Sequence, residues 1–241
     1  MELRQLITER ERQIFGKYLA EARATRGTIG LKETARSRLC EAHLTFGNLY
    51  AIFEHQEEPP ERMVGGFILH DLATLPQSYP RPDLSHLPQR LVLEGSELWS
   101  LSKGIGRIAA GAAAAVAGIS QAKAIIVYPV VSPVDRTRPY VRYSFADACE
   151  RIRWPWGETI EGGEIWVQPM ILEGEKLEEY LRSGFDFIFQ TAGNRRPLRF
   201  DLPAMTGLAT SDPVVPEREE PNSSFVSSER AGDERNGSTS L

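Results

Sequence analysis

Glu97 to Arg107, ELWSLSKGIGR, is the stretch on which the reading of this 241-residue chain turns. The alternating segment LVLEGSELWS (Leu91–Ser100) runs into Lys103-Gly104-Ile105-Gly106-Arg107, and a helix begins at once in the alanine-rich run IAAGAAAAVAGI (Ile108–Ile119). Paired glycines let a backbone approach a ligand closely. The unpaired N–H groups of a helix start, at the positive end of its dipole, suit a pyrophosphate. Lys103 and Arg107 add charge at the rim. The same pattern also makes an ordinary strand-to-helix turn. Two other phosphate loops are excluded: Ala109 stands where a dinucleotide loop needs its third glycine, and no Gly-Lys-Ser/Thr ends the turn.

Working outward, the helix is followed by the apolar strand AIIVYPVV (Ala124–Val131), whose Pro129 lacks an N–H and so weakens pairing at that point. Upstream, MELRQLI predicts a strand, and Thr8 with Glu11 forms a capping-box pattern ahead of a helix with Ile14, Tyr18 and Ala22 on one stripe. A second helix is predicted over Leu31–Phe46. Two strands follow, LYAIFEH and MVGGFILHDL, separated by the turn QEEPPER. A proline-punctuated loop spans Ala73–Arg90. Downstream come a strand EIWVQPMIL, a helix over Leu177–Ser183 and a strand at FDFIFQ. This order predicts an α+β fold, a mixed and mostly antiparallel sheet with helices on both faces.

The domain is expected to cover residues 1–208. Residues 209–241 carry seven acidic and three basic side chains among prolines and serines, which predicts a disordered acidic tail. The formal charge of −5 offers no field for a nucleic-acid backbone. Two cysteines, Cys40 and Cys149, exclude both a disulfide framework and a four-cysteine zinc site. The run Ile108–Ile119 falls short of the roughly 20 apolar residues of a membrane span. The charged N-terminus lacks the apolar core of a secretory signal, so a cytoplasmic location is expected.

The meander, the strand entering Lys103-Gly104-Ile105-Gly106-Arg107, the alanine-rich helix and AIIVYP together resemble the core of the GNAT acyltransferase superfamily. That family cradles the pyrophosphate of acyl-CoA on a loop written Arg/Gln-x-x-Gly-x-Gly/Ala. Gly104 and Gly106 match its glycines, while the Arg/Gln position falls on Leu101. A narrower resemblance, over Leu49–Arg182, is to the acyl-homoserine-lactone (autoinducer) synthases. GETIEGGEIWVQPMILEGEKLEEYLR is similar to their C-terminal strand and helix. Trp99-Ser100 replaces their Ser-Arg, Ile68 or Leu69 stands at another arginine, and their acidic motif is absent, which argues against lactone synthesis from S-adenosylmethionine. The resemblance implies an acyl-CoA or acyl-carrier-protein thioester donor, a small amine acceptor and no metal. The donor would lie between strands ending near Ser100 and Val130, held by Ser100, Leu101, Lys103, Gly104, Ile105, Gly106, Arg107 and Val130. A non-catalytic binding module and a thioester-hydrolysing variant remain open alternatives.

Acyl transfer to an amine needs a base, oxyanion donors and an acid for the leaving thiolate. Period-two counting puts Glu97 on an apolar face with Leu93, Trp99 and Leu101, where desolvation would raise its pKa; it is the candidate base. Glu94 falls on the other face and is expected to be solvated. Tyr128 is the candidate acid, with Tyr140 and Tyr143 as alternatives. His70, ending the FILH strand, and Tyr79, in the proline loop with His86, are candidate substrate contacts. Arg136, Arg138, Arg142, Arg151 and Arg153 beside Trp154 and Trp156 can dock an acidic carrier protein or a CoA phosphate. The four histidines lie on different elements without metal-binding spacing, and His43, beside the apolar stripe of its helix, reads as structural.

Overall fold

Apolar alternation along four segments builds the centre of an eight-stranded sheet. The computed structural model describes residues 1–25, 43–45, 47–54, 62–74, 91–149, 153–194 and 198–201. Strands β1 (Glu2–Leu6), β2 (Asn48–Glu54), β3 (Arg62–Asp71) and β4 (Val92–Ser100) form an antiparallel meander. After α2 (Ile105–Ile119) crosses over, β5 (Ala124–Val127) joins β4 in parallel. The sheet order is β11-β1-β2-β3-β4-β5-β10-β7, with β7 at Ala146–Asp147, β10 at Met170–Glu173 and β11 at Arg199–Asp201. A second sheet, β6-β9-β8, comprises Val130–Ser132, Glu164–Val167 and Trp154–Glu158. The expected α+β architecture is the one observed.

Helices cover both faces. On one, Tyr50, Ile52, Val64, Phe67 and Leu69 pack with α2 and α4 (Gly174–Asn194). On the other, Leu49, Ala51, Met63 and Ile68 meet α1 (Glu9–Thr25) through Phe15, Leu19 and Ala22. The capping box is formed: the Glu11 amide donates to Thr8 Oγ1 at 3.2 Å, and the Thr8 amide donates to Glu11 Oε2 at 2.8 Å. The stripe of α1 is shifted by one residue from Ile14 and Tyr18 to Phe15 and Leu19, leaving Ile14 exposed. Phe15 sets this rotation by meeting Trp99 edge-on at 5.4 Å.

Both proline-containing strands are split in two. AIIVYPVV becomes β5 and β6, and EIWVQPMIL becomes β9 and β10, each pair divided between the two sheets. Neither Pro129 nor Pro169 can donate to a ladder, so each strand leaves the main sheet there. The Gln168 amide bridges the break by donating to the Pro129 carbonyl at 3.0 Å.

FDFIFQ is helical, the distal half of α4, and not a strand. The small side chains of α2 serve this packing: a Cβ on Gly184 would sit 2.4 Å from Ala114 Cβ and 3.2 Å from the Gly111 carbonyl. The predicted Leu31–Phe46 helix lies outside the described residues except for the helical residues 43–45, as do Cys40, His55, Tyr79, His86, Arg151 and the tail. Among the described residues no helix is long and apolar enough to cross a membrane.

Candidate active site

Pairing between β4 and β5 covers Val92↔Ala124, Leu93↔Ile125 and Glu94↔Ile126 and goes no further, although β4 continues to Ser100. Beyond that point lies a cavity of about 270 Å³. Gly95, Ser96, Glu97 and Leu98 of β4 and Ile125 and Val127 of β5 form its sides; Ala110 and Ala113 of α2 line it, together with Tyr140, Phe145 and Tyr180. Tyr180 stands edge-on to Tyr143 and Phe145, with centroids 5.5 and 6.1 Å away. Gly106 and Arg107 line it too, so the cavity reaches the first turn of α2.

The glycine corner is open. Gly104 is the N-cap of α2 in the left-handed conformation (φ 90°) that glycine adopts without strain, and no side chain among the described residues caps the helix. The Arg107 and Ile108 amides turn back to the Gly104 carbonyl, so the amides before them have no partner within the helix. Lys103, Gly104 and Arg107 are exposed, Leu101, Ile105 and Gly106 half-buried, and Ser100 fully buried against Gly106. Val130 is half-buried and paired with Val167 in the smaller sheet.

A bulge interrupts β4 beside the cavity. Gly66 faces Trp99 and Ile68 faces Ser96, so Phe67 alone opposes Glu97 and Leu98, and Glu97 takes φ 52°. The extra residue of a bulge has no ladder partner. The bulge overturns the period-two count: Glu97 does not share a face with Leu93. Its carboxylate points to the α1 side, where it binds the Arg23 guanidinium and lies 3.3 Å from His43 Nδ1.

The expected rise in the pKa of Glu97 is reversed. Burial pushes it up, but the hydrogen bond to His43 and the charge of Arg23 outweigh burial and hold it at about 2. Glu94, expected in solvent, is 1% exposed, with Oε1 3.7 Å from His43 Nε2. His70 also leaves its predicted place, being fully buried on this face instead of the cavity face. Its Nε2 lies 3.1 Å from Ser96 Oγ, and burial, then His43, push its pKa down to about 3 against the pull of Glu97.

Histidines that look scattered along the sequence therefore converge. Ligand atoms of His43, His70 and Glu94 all lie within 4.8 Å of one another. Nothing in their spacing announces it, since the strand register brings them together.

Tyr128 is likewise not at the cavity. It stacks on Trp156 at 5.4 Å and packs with Ala124 and Ile126, on the face opposite Ile125 and Val127. The tyrosines that do reach the cavity are Tyr140, Tyr143 and Tyr180. Burial, and secondarily the charge of Glu97, raise the pKa of Tyr140. Arg136, Arg138, Arg142 and Arg153 are exposed, two of them on α3 (Arg138–Arg142), the short helix that carries Tyr140.

No protein-family model matches the chain, and neither does any curated protein. Solved structures similar to it include a variant of the spermidine N-acetyltransferase SpeG of Vibrio cholerae, at 15% identity over 75% of this chain and 96% of that one, with a TM-score of 0.46. An N-acetyltransferase of Staphylococcus aureus Mu50 is 12% identical over 71% of this chain and 96% of that one, with a TM-score of 0.43. A GNAT family acetyltransferase of Elizabethkingia anophelis with acetyl-CoA bound is 17% identical over 57% and 82%, with a TM-score of 0.36. At such identities and scores none of their activities transfers to this chain.

Proposed function

We propose that this chain is a GNAT-type acyltransferase that moves an acyl group from an acyl-CoA or acyl-carrier-protein thioester to a small amine. The observation that carries this reading is the gap between β4 and β5, which opens beyond Glu94↔Ile126 and leads to the uncapped start of α2. A pantetheine arm is slender and amide-bearing, and it suits a slot whose edges are strand backbones released from pairing. Its phosphate end falls to the amides of Ile105 and Gly106, with Lys103 and Arg107 on the rim. The apolar walls from Ala110, Ala113, Ile125, Val127 and Phe145 suit an acyl chain.

In this reading the bulge at Glu97 and Leu98 supplies a main-chain donor for the thioester oxyanion. Tyr140 takes the acid role first assigned to Tyr128, because it borders the cavity and burial keeps its proton on until the thiolate leaves; the amine attacks as its neutral form, and the proton it loses replaces the one that Tyr140 gives to the thiolate. Glu97 becomes a positioning residue: a carboxylate held at about pKa 2 is a poor base but, clamped by Arg23 and His43, a firm anchor for the bulge. Exposed arginines beside the mouth suit either the CoA 3′-phosphate or an acidic carrier protein.

The test is a mass-resolved search for N-acyl products with acyl-CoA and acyl-carrier-protein donors across a panel of amines. A product whose formation falls in Tyr140→Phe supports the proposal. No transfer from either donor, or free acid released at a rate indifferent to every amine, overturns it.

A further inference from the structure

On the face of the sheet away from the cavity, three buried side chains from separate parts of the chain share one point. His70 and Glu94 are direct cross-strand partners on β3 and β4, and His43 reaches them from the helical turn that precedes β2. His70 is fully buried, His43 is 5% exposed and Glu94 1%. The two imidazole rings lie 5.0 Å apart.

The arrangement of the ring nitrogens is the informative part. His43 directs Nδ1 at the Glu97 carboxylate, 3.3 Å away, which leaves Nε2 facing Glu94 Oε1 at 3.7 Å. His70 directs Nε2 at Ser96 Oγ, 3.1 Å away, and its buried Nδ1 has no hydrogen-bond partner among the described residues. Each histidine thus has one nitrogen engaged by an outer partner, and the two rings and Glu94 bring ligand atoms within 4.8 Å of one another. Metal-bound histidines show this division, the second nitrogen being held by a carboxylate, hydroxyl or carbonyl that fixes the ring. A separation of 3.7 Å is long for a hydrogen bond. It is close to the edge, about 3.3 Å, of a tetrahedron with ligands about 2.0–2.1 Å from zinc.

We propose that His43 Nε2, His70 Nδ1 and a Glu94 carboxylate oxygen form a zinc site, with water in the fourth tetrahedral position. Two imidazoles and one carboxylate are a donor set that zinc accepts and that magnesium and calcium do not favour. Separations of at most 4.8 Å need to close by no more than about 1.5 Å, shared between two side chains, to reach that tetrahedral edge. The site lies on the other side of the sheet from the cavity, so the ion touches no thioester. Its role is to join β3, β4 and the His43 turn beneath the bulge and, through His43, to fix Glu97. This inference does not depend on acyl transfer.

The experiment uses the full 241-residue protein, treated with chelator, dialysed, and exposed to Zn²⁺ or to Co²⁺ as a spectroscopic substitute. Roughly one equivalent of Zn²⁺ per chain, measured by elemental mass spectrometry, is expected. The Co²⁺ protein should show the visible absorption of a tetrahedral nitrogen- and oxygen-ligated ion. His70→Gln and Glu94→Gln should each weaken uptake at least about tenfold, as losing a ligand from so small a set demands. Either variant that keeps the wild-type circular dichroism serves, and the Co²⁺ spectrum of the unaltered chain stands if neither folds. Wild-type protein that is folded yet takes up neither metal overturns the site. Uptake undiminished in a folded variant, or an octahedral Co²⁺ spectrum, shows an adventitious ion elsewhere and overturns it equally.

Discussion

Replacing Ala113 with leucine tests whether an acyl chain occupies the cavity. Ala113 is half-buried on α2 and lines the space of about 270 Å³ beside Val127, Phe145 and Tyr180. Leucine adds three carbons to that space, which a bound chain must vacate. Each methylene buried from water contributes about 0.8 kcal/mol, so displacing roughly three costs about 2.4 kcal/mol. At about 1.4 kcal/mol per tenfold, that is about a 50-fold loss of affinity. The penalty falls only on donors long enough to reach Ala113. Isothermal titration of acetyl-, butyryl-, octanoyl- and decanoyl-CoA measures it without knowledge of the acceptor. Wild-type affinity should rise along the series, and Ala113→Leu should remove the rise while leaving acetyl-CoA within about twofold, since no methylene is displaced. Partly filling an apolar void does not lower stability by itself, so the melting temperature should hold. Equal losses for acetyl- and decanoyl-CoA, or a wild-type series that is flat, would refute placement of the chain in this cavity.

Reversing both rim charges, Lys103→Glu with Arg107→Glu, should weaken CoA binding on the order of tenfold at low salt, and the effect should shrink as salt is added; a salt-independent loss would point to a distorted corner instead. Tyr140→Phe should lower kcat about 100-fold or more while donor affinity, read by titration, is unchanged. Gly184→Val should destabilise the fold by about 2 kcal/mol, lowering Tm by roughly 4–8 °C, because its Cβ meets Ala114 and the Gly111 carbonyl, neither of which can swing aside. Thr8→Ala should cost about 1 kcal/mol through loss of the α1 cap, visible as a lower urea midpoint with an unchanged slope.

What could be read from the residues alone was local. The Thr8–Glu11 cap, the meander and the turn at Gly104 each depend on side chains a few positions apart, and each stands where expected. FDFIFQ misleads because a short apolar run fits strand and helix periods alike, and here contact between Gly184 and Ala114 decides for helix. AIIVYPVV and EIWVQPMIL carry their break in the sequence, at Pro129 and Pro169. Missing from a single strand's pattern is the fact that its two halves enter different sheets. Tyr128 follows from this: where β5 ends, the backbone turns it onto Trp156 and away from the gap.

Glu97 shows why the candidate site was harder to read than the fold. Alternation assigns faces correctly from Val92 to Ser96, so Leu93 and Glu94 diverge as expected, and then one extra residue at φ 52° resets the count. Glu94 and Ser96 already face the α1 side, and the reset adds Glu97 and Trp99 to it within six residues, a crowding that no regular strand allows. Three polar side chains so placed need partners from distant segments, and Arg23, His43 and His70 provide them. The same irregularity takes an amide out of the β3 ladder beside the cavity. A regular β4 would neither release an amide on one face nor bring Glu97 to the polar cluster on the other, so these two features share one cause, and the contacts of Glu97 with Arg23 and His43 hold the bulge in place.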